Sequence, residues 1–141
     1  PASNLTDEDE GSRWSSESKP VQWAYVDLGQ EEELNYFRMI WESNENYASS
    51  YNIYVSNDIN NWGDPVVVQA GNTTKISENL LEESVKGRYV KLEVTEQKGY
   101  PNVSCSDFKV MLKDSSMPDE QDPSENIAFG KEVFVSDSEV P

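Results

Sequence analysis

Histidine is absent from this sequence, and cysteine occurs once, as Cys105. A lone cysteine cannot form a disulfide within the chain. Small extracellular animal domains often depend on disulfides, so their absence favours a bacterial source. No run approaches the roughly 18 apolar residues that a membrane helix needs. No phosphate-cradling glycine loop and no CxxC pair is present. Basic residues are also scarce, with 11 Lys and Arg against 27 Asp and Glu, a formal charge of -16. Such a surface repels phosphate backbones and anionic headgroups, which argues against nucleic acid and membranes as partners. The chain begins at Pro1 with neither an initiator methionine nor a signal peptide. That start reads as an excised or processed piece.

What is present suits one domain with one core. Apolar residues make up 35% of the 141, which is low, but aromatics make up 11%. Each Trp or Tyr buries far more area than an alanine. The dominant hydrophobic period is two. Strands are expected at residues 21–28 (VQWAYVDL), 34–41 (LNYFRMIW), 51–56 (YNIYVS), 64–69 (DPVVVQ), 88–95 (RYVKLEVT), 107–112 (DFKVML) and, briefly, 133–135 (VFV). In the run 88–95, Val90, Leu92 and Val94 share one face, and Tyr89, Lys91 and Glu93 share the other. The best helical candidate, 77–85 (SENLLEESV), is long enough for only a turn or two. Short strands between turn signals predict an all-β antiparallel sandwich or barrel. Residues 114–125 (DSSMPDEQDPSE) are acidic and hold two prolines, the composition of a linker.

Several segments, in order, carry a family resemblance. They are SRWSSESKPVQWAYVDLG (12–29), MIWE (39–42), YNIYVSND with Trp62, GRYVKLEVTE (87–96) and SDFKVML (106–112). Together they resemble the discoidin superfamily of coagulation factor 5/8 type C domains. Within it they are most similar to family 32 carbohydrate-binding modules of secreted bacterial glycoside hydrolases. The resemblance implies a discoidin-like jelly roll and a non-catalytic module within a larger multidomain enzyme outside the cell. Its partner would be a glycan. The alternative is a structural or protein-interaction discoidin domain without sugar binding. One feature departs from the family order. The usual opening strand, of the form NIALGKxVxAS, matches residues 126–136 (NIAFGKEVFVS) near the C-terminus. The expected division is a sandwich over 1–113, a linker over 114–125 and a strand region over 126–141. That last strand either completes this sandwich by circular permutation or starts a further repeat.

The resemblance also implies two sites. A structural Ca2+ would be held in the loop NLTDEDEGS, by Asn4, Leu5, Asp7, Asp9 and Ser12, with Asp107 added from a late strand. Alternating carboxylates, carbonyls and a hydroxyl form the hard-oxygen set that calcium takes. The sugar would lie in end loops, on Glu17, Lys19, Trp41, Glu42, Asn46, Tyr47, Tyr100 and Asn102. Many galactose-binding relatives use a histidine there, and this chain has none. The WE pair and the glutamate after RWSS resemble chitosan- and amino-sugar-binding modules, where carboxylates pair with an ammonium. Trp41 is equally well read as a core residue. Trp14, Trp23 and Trp62 are expected in the core.

Overall fold

The computed structural model describes residues 5–6, 14–15, 22–99, 104–113 and 126–135. The strands are β1 (Trp14–Ser15), β2 (Gln22–Trp41), β3 (Tyr47–Ser56), β4 (Val67–Gln69), β5 (Ile76–Lys98), β6 (Ser104–Met111) and β7 (Glu132–Val135). Among the described residues the strands pair antiparallel, in the order β1-β6-β2-β5-β3-β4, with β7 added beside β2. The expected all-β antiparallel fold is what forms.

The sandwich is built by folding two long strands over together. β2 pairs with β5 along nearly its whole length, but the register slips between Asp27 and Glu32 and again between Leu34 and Tyr36. At the first slip β2 carries extra residues while β5 advances only from Tyr89 to Gly87. Extra residues on one strand bend it and increase its twist. Gly29 sits there at φ 87°, in the left-handed region that favours glycine. Beyond the bend β2 changes neighbours. Its first part pairs with β7, through Ala24↔Val135 to Asp27↔Glu132. Its second part pairs with β6, through Tyr36↔Met111 to Trp41↔Cys105. One layer is therefore β7, early β2, late β5, β3 and β4. The other is β1, β6, late β2 and early β5.

This continuity corrects two sequence expectations. The strands expected at 21–28 and 34–41 form, over the described residues, one strand, Gln22–Trp41. Residues 77–85 are not helical but form the first part of β5. Pairing of Glu78, Asn79 and Leu80 with Arg38, Phe37 and Tyr36 overrides the weak local helical preference. The expected strand at 64–69 is also shorter, confined to Val67–Gln69.

Both layers feed one core. Ala24, Val26, Val90 and Leu92 come from the first, and Phe37, Met39, Phe108 and Val110 from the second. Alternation places them: in early β2, Gln22, Ala24, Val26 and Leu28 are buried and the residues between them are half-buried. Burying one such large apolar side chain contributes about 1.5–3 kcal/mol. The segment 126–135 is part of this core. Ala128 is fully buried, and Ile127, Val133 and Val135 pack against the cluster. Asn126 Oδ1 accepts from the backbone amides of Val110 and Ala128, both at 3.1 Å. Gly130 N donates to Thr6 O at 2.8 Å, and Thr6 Oγ1 donates to Lys131 O at 3.0 Å. The segment thus ties the two sequence extremities together.

Candidate functional site

The fold-over brings both ends of β2 and both ends of β5 to the same end of the sandwich. Gln22 lies opposite Val94 and Ile40 opposite Ile76. At that end Tyr47 opens β3 opposite Lys98, Trp41 closes β2 opposite Cys105, and Ser15 closes β1 opposite Ser104. The connections containing Glu17 and Lys19, Glu42 and Asn46, and Tyr100 and Asn102 all leave from strand termini here. Of these, Glu17, Lys19, Tyr100 and Asn102 lie outside the described residues. Chain topology alone gathers the loops that are far apart in sequence.

The turn between β2 and β3 is rigid. Ser43 Oγ accepts from Glu45 N at 3.2 Å, Asn46 N at 3.1 Å and Asn46 Nδ2 at 3.3 Å. Ser43 N donates to Asn46 O at 3.2 Å. Gly99 packs directly against it: a β-carbon there would collide with Asn46 Oδ1 and the carbonyl of Glu45. Glu42 and Asn46 are half-buried at the rim, while Tyr47 is buried.

Trp41 faces inward. It is 1% exposed, and its Nε1 donates to Ser77 Oγ at 2.8 Å. Its ring lies 5.8 Å from that of Tyr51, whose hydroxyl donates to Asn79 Oδ1 at 2.6 Å. A sugar cannot stack on a ring enclosed in this way, so the sugar-stacking expectation for Trp41 gives way to the core reading. Trp14 is also fully buried, as expected. Trp23 and Trp62 are not core residues but half-buried on the outer face.

One loop at this end was not picked out from sequence. Residues 70–75 lie beside the β2–β3 turn. Trp41 N donates to Lys75 O at 2.7 Å, Asn72 N to Ser49 O at 2.9 Å, and Asn72 Nδ2 to Ala48 O at 2.8 Å. The exposed Lys75 thereby joins a rim that also holds Glu42, Glu45 and Lys98. Only its polar composition marked this loop in sequence. Its neighbours are set by long-range pairing.

Asp107, an expected calcium ligand, is buried on β6 at 1% exposure. β1 meets β6 at Trp14↔Cys105, so the chain arriving from residues 7–13 reaches β6 two residues from Asp107. Leu5 is buried as well. Asn4, Asp7, Asp9 and Ser12 lie outside the described residues. Among the described residues no group of three or more His, Cys, Asp or Glu could hold a metal ion. Burial pushes the neighbouring Cys105 thiol up to about 12, and the nearby Asp107 charge adds to this rise. That cysteine is an inert core residue.

The model of the F5/8 type C domain family matches residues 1–108. Among solved structures, chitosan-binding module 1 from the chitosanase/glucanase of Paenibacillus sp. IK-5 is 29% identical, with a TM-score of 0.69, covering 78% of this chain and 83% of that one. Module 2 of the same enzyme, solved with chitotriose, is 22% identical, with a TM-score of 0.68 and coverage of 79% and 86%. The module CBM32-1 from a family 31 glycoside hydrolase of Clostridium perfringens is 17% identical, with a TM-score of 0.68 and coverage of 79% and 84%. No curated protein sequence matches. The structures it resembles are binding modules, not catalytic domains. With the family model spanning most of the sequence and the folded-over sandwich matching these modules, the chain belongs to the F5/8 type C domain family.

Proposed function

We propose that this chain is a non-catalytic carbohydrate-binding module that takes a terminal hexose or hexosamine into its end loops. The convergence of the loops at the Trp41, Tyr47 and Lys98 end carries the reading. It puts rim carboxylates and amides on a rigid scaffold, which is what recognition of sugar hydroxyls requires. The likeness to a chitosan-binding module at 29% identity supports an amino sugar as ligand. Glu42 on the described rim, with Glu17, would pair with a sugar ammonium. Tyr100 would supply the ring on which the sugar's apolar face rests. Lys19, Asn46 and Asn102 complete the set, with the buried Tyr47 supporting the rim from below.

Calcium belongs to this reading as a structural ion. The donor set of Asn4, Leu5, Asp7, Asp9, Ser12 and Asp107 is all oxygen, as a hard cation demands. Asp107 would bring a buried carboxylate to that set from β6. The ion's role would be to pin the entry to β1. The domain would act outside the cell, as part of a larger secreted bacterial enzyme that it holds near a glycan. Segment 126–135 would stand in for the family's opening strand, with 114–125 as the linker to it.

The test is a glycan array run with calcium and with chelator, followed by titration calorimetry on any hit. Binding to a terminal hexosamine or hexose, lost in Glu42→Ala or Tyr100→Ala, establishes the reading. No binding across the array overturns it and leaves a structural or protein-interaction domain.

A further inference from the structure

The outward face of the layer formed by β7, β2, β5 and β3 carries a continuous aromatic surface that the end-loop site does not use. Phe134 on β7 lies opposite Tyr25 on β2, Tyr25 opposite Lys91 on β5, and Lys91 opposite Tyr54 on β3. Tyr25 stacks on Phe134 at 4.9 Å between centroids and on Trp23 at 5.8 Å. It meets Tyr89 edge-on at 6.0 Å and Trp62 at 5.5 Å. Phe134 is 39% exposed, and the other rings are half-buried.

Cross-strand pairing accounts for rings on adjacent strands. It does not account for Trp62, which comes from the β3–β4 loop. That loop is fixed by Ser56 Oγ donating to Asn61 O at 2.7 Å and by Asn61 N donating to Asp58 O at 3.0 Å. The fixed loop sets the Trp62 ring over the face, 4.8 Å from Lys91 Nζ, with the Tyr54 ring 4.7 Å from the same atom.

Charge selects the occupant. On a chain of formal charge -16, this face mixes both signs, with Asp27, Glu93 and Glu132 beside Arg88 and Lys91. Arg88 is held by both oxygens of Asp27, at 2.7 and 2.9 Å. The ammonium of Lys91 is covered by rings and offset by Glu93. Glu93 Oε1 accepts from Asn52 Nδ2 at 3.2 Å and Tyr54 OH at 3.3 Å, which sets polar groups beside the rings. Aromatic rings with flanking fixed polar groups suit a ligand with apolar faces and hydroxyl edges. Both cations of the face are already engaged, by Asp27 and by the rings, so it offers none to an anionic ligand, and the surrounding acidity rejects polyanions. The surface crosses four strands, about 14 Å at the usual strand spacing. That breadth exceeds one terminal sugar and fits a chain. Tyr54 is seven residues along β3 from Tyr47, about 23 Å away, while Trp23, next to Gln22 at the start of β2, marks the edge of the face nearer the end loops.

We propose that this outward face is a second glycan-binding surface, a platform for an uncharged polysaccharide chain, acting independently of the end loops. The test is affinity electrophoresis of the full chain in gels containing hydroxyethyl cellulose, mixed-linkage β-glucan or galactomannan, with polygalacturonate as the anionic comparison. The expected result is retardation in at least one neutral gel and none in polygalacturonate. Trp62→Ala should weaken that retardation at least tenfold, while Glu42→Ala leaves it unchanged. Bound polysaccharide should also shield tryptophan emission from acrylamide, because Trp23 and Trp62 sit on the face. Phe134→Ser, at an exposed position, reports the same loss should Trp62→Ala fold poorly. The proposal is overturned by free migration in every neutral gel, or by retardation that survives both substitutions. Loss with Glu42→Ala overturns it too, by placing the chain in the end loops. Capture of a protein partner without polysaccharide retardation also counts against it.

Discussion

Gly99, at φ 91°, lies so close to Asn46 that a β-carbon at this position would overlap the asparagine side-chain oxygen. Two loops some fifty residues apart in sequence are thereby locked together at the end of the sandwich where Trp41 and Tyr47 lie. Gly99→Ala should be costly twice over, through the left-handed backbone and through the collision. A loss of about 1–3 kcal/mol is expected, read from urea denaturation. Displacing Asn46 should also weaken glycan binding in calorimetry. An alanine variant with unchanged stability and affinity would show that the two loops are not coupled.

The indole of Trp41 donates to Ser77 inside the core. Ser77→Ala would leave a buried N–H without this acceptor, at a cost of about 1–3 kcal/mol. Glycan affinity should not change, since neither group reaches solvent. Denaturation and calorimetry on the same variant separate the structural role of Trp41 from a ligand-stacking one. A large affinity loss with little destabilisation would restore the stacking role.

The Arg88 guanidinium hydrogen-bonded to Asp27 holds that carboxyl below its ordinary value of 3.8, with the amide of Gly29 helping. A folded-state pKa that is depressed contributes stability above the unfolded value and loses it as pH falls through the folded one. Asp27→Asn should therefore be less stable than the parent chain at pH 7. The difference should shrink as pH falls below about 3.8. Urea midpoints measured from pH 7 down to pH 2 check this. A difference that stays constant across that range would mean that Asp27 acts by packing alone.

If calcium is held through Asp107, chelation should lower the melting temperature, and added calcium should restore it. The gain grows with the logarithm of ion concentration, about 2.7 kcal/mol at a hundredfold excess over the dissociation constant. Asp107→Asn should abolish this calcium dependence. A melting temperature indifferent to both chelator and calcium would remove the metal from the account.

Much of the fold was legible because the strands repeat a two-residue pattern. Val90, Leu92 and Val94 were assigned a common face by alternation alone, and that face is buried. The same pattern could not show that residues 22–41 are one strand. A bend is made by a register slip against β5, which exists only in the pairing. The expected turn of helix at 77–85 became strand for the same reason: its partner, late β2, lies about forty residues away.

The tryptophans divide along the same line. From sequence, Trp14, Trp23 and Trp62 were all expected in the core, and Trp41 was divided between core and sugar site. Trp14, which opens β1, and Trp41, which closes β2, belong to the second layer and are buried. Trp23 alternates outward from Ala24, and Trp62 rides on a loop that folds back over the outer face. Composition and motif order thus determined the class, the family resemblance and the acidity that rejects polyanions. Only tertiary structure decided which strand termini share an end, which rings face solvent and that the C-terminal strand pairs with β2. Those outcomes depend on contacts between residues far apart in the chain, whose partners no local pattern specifies.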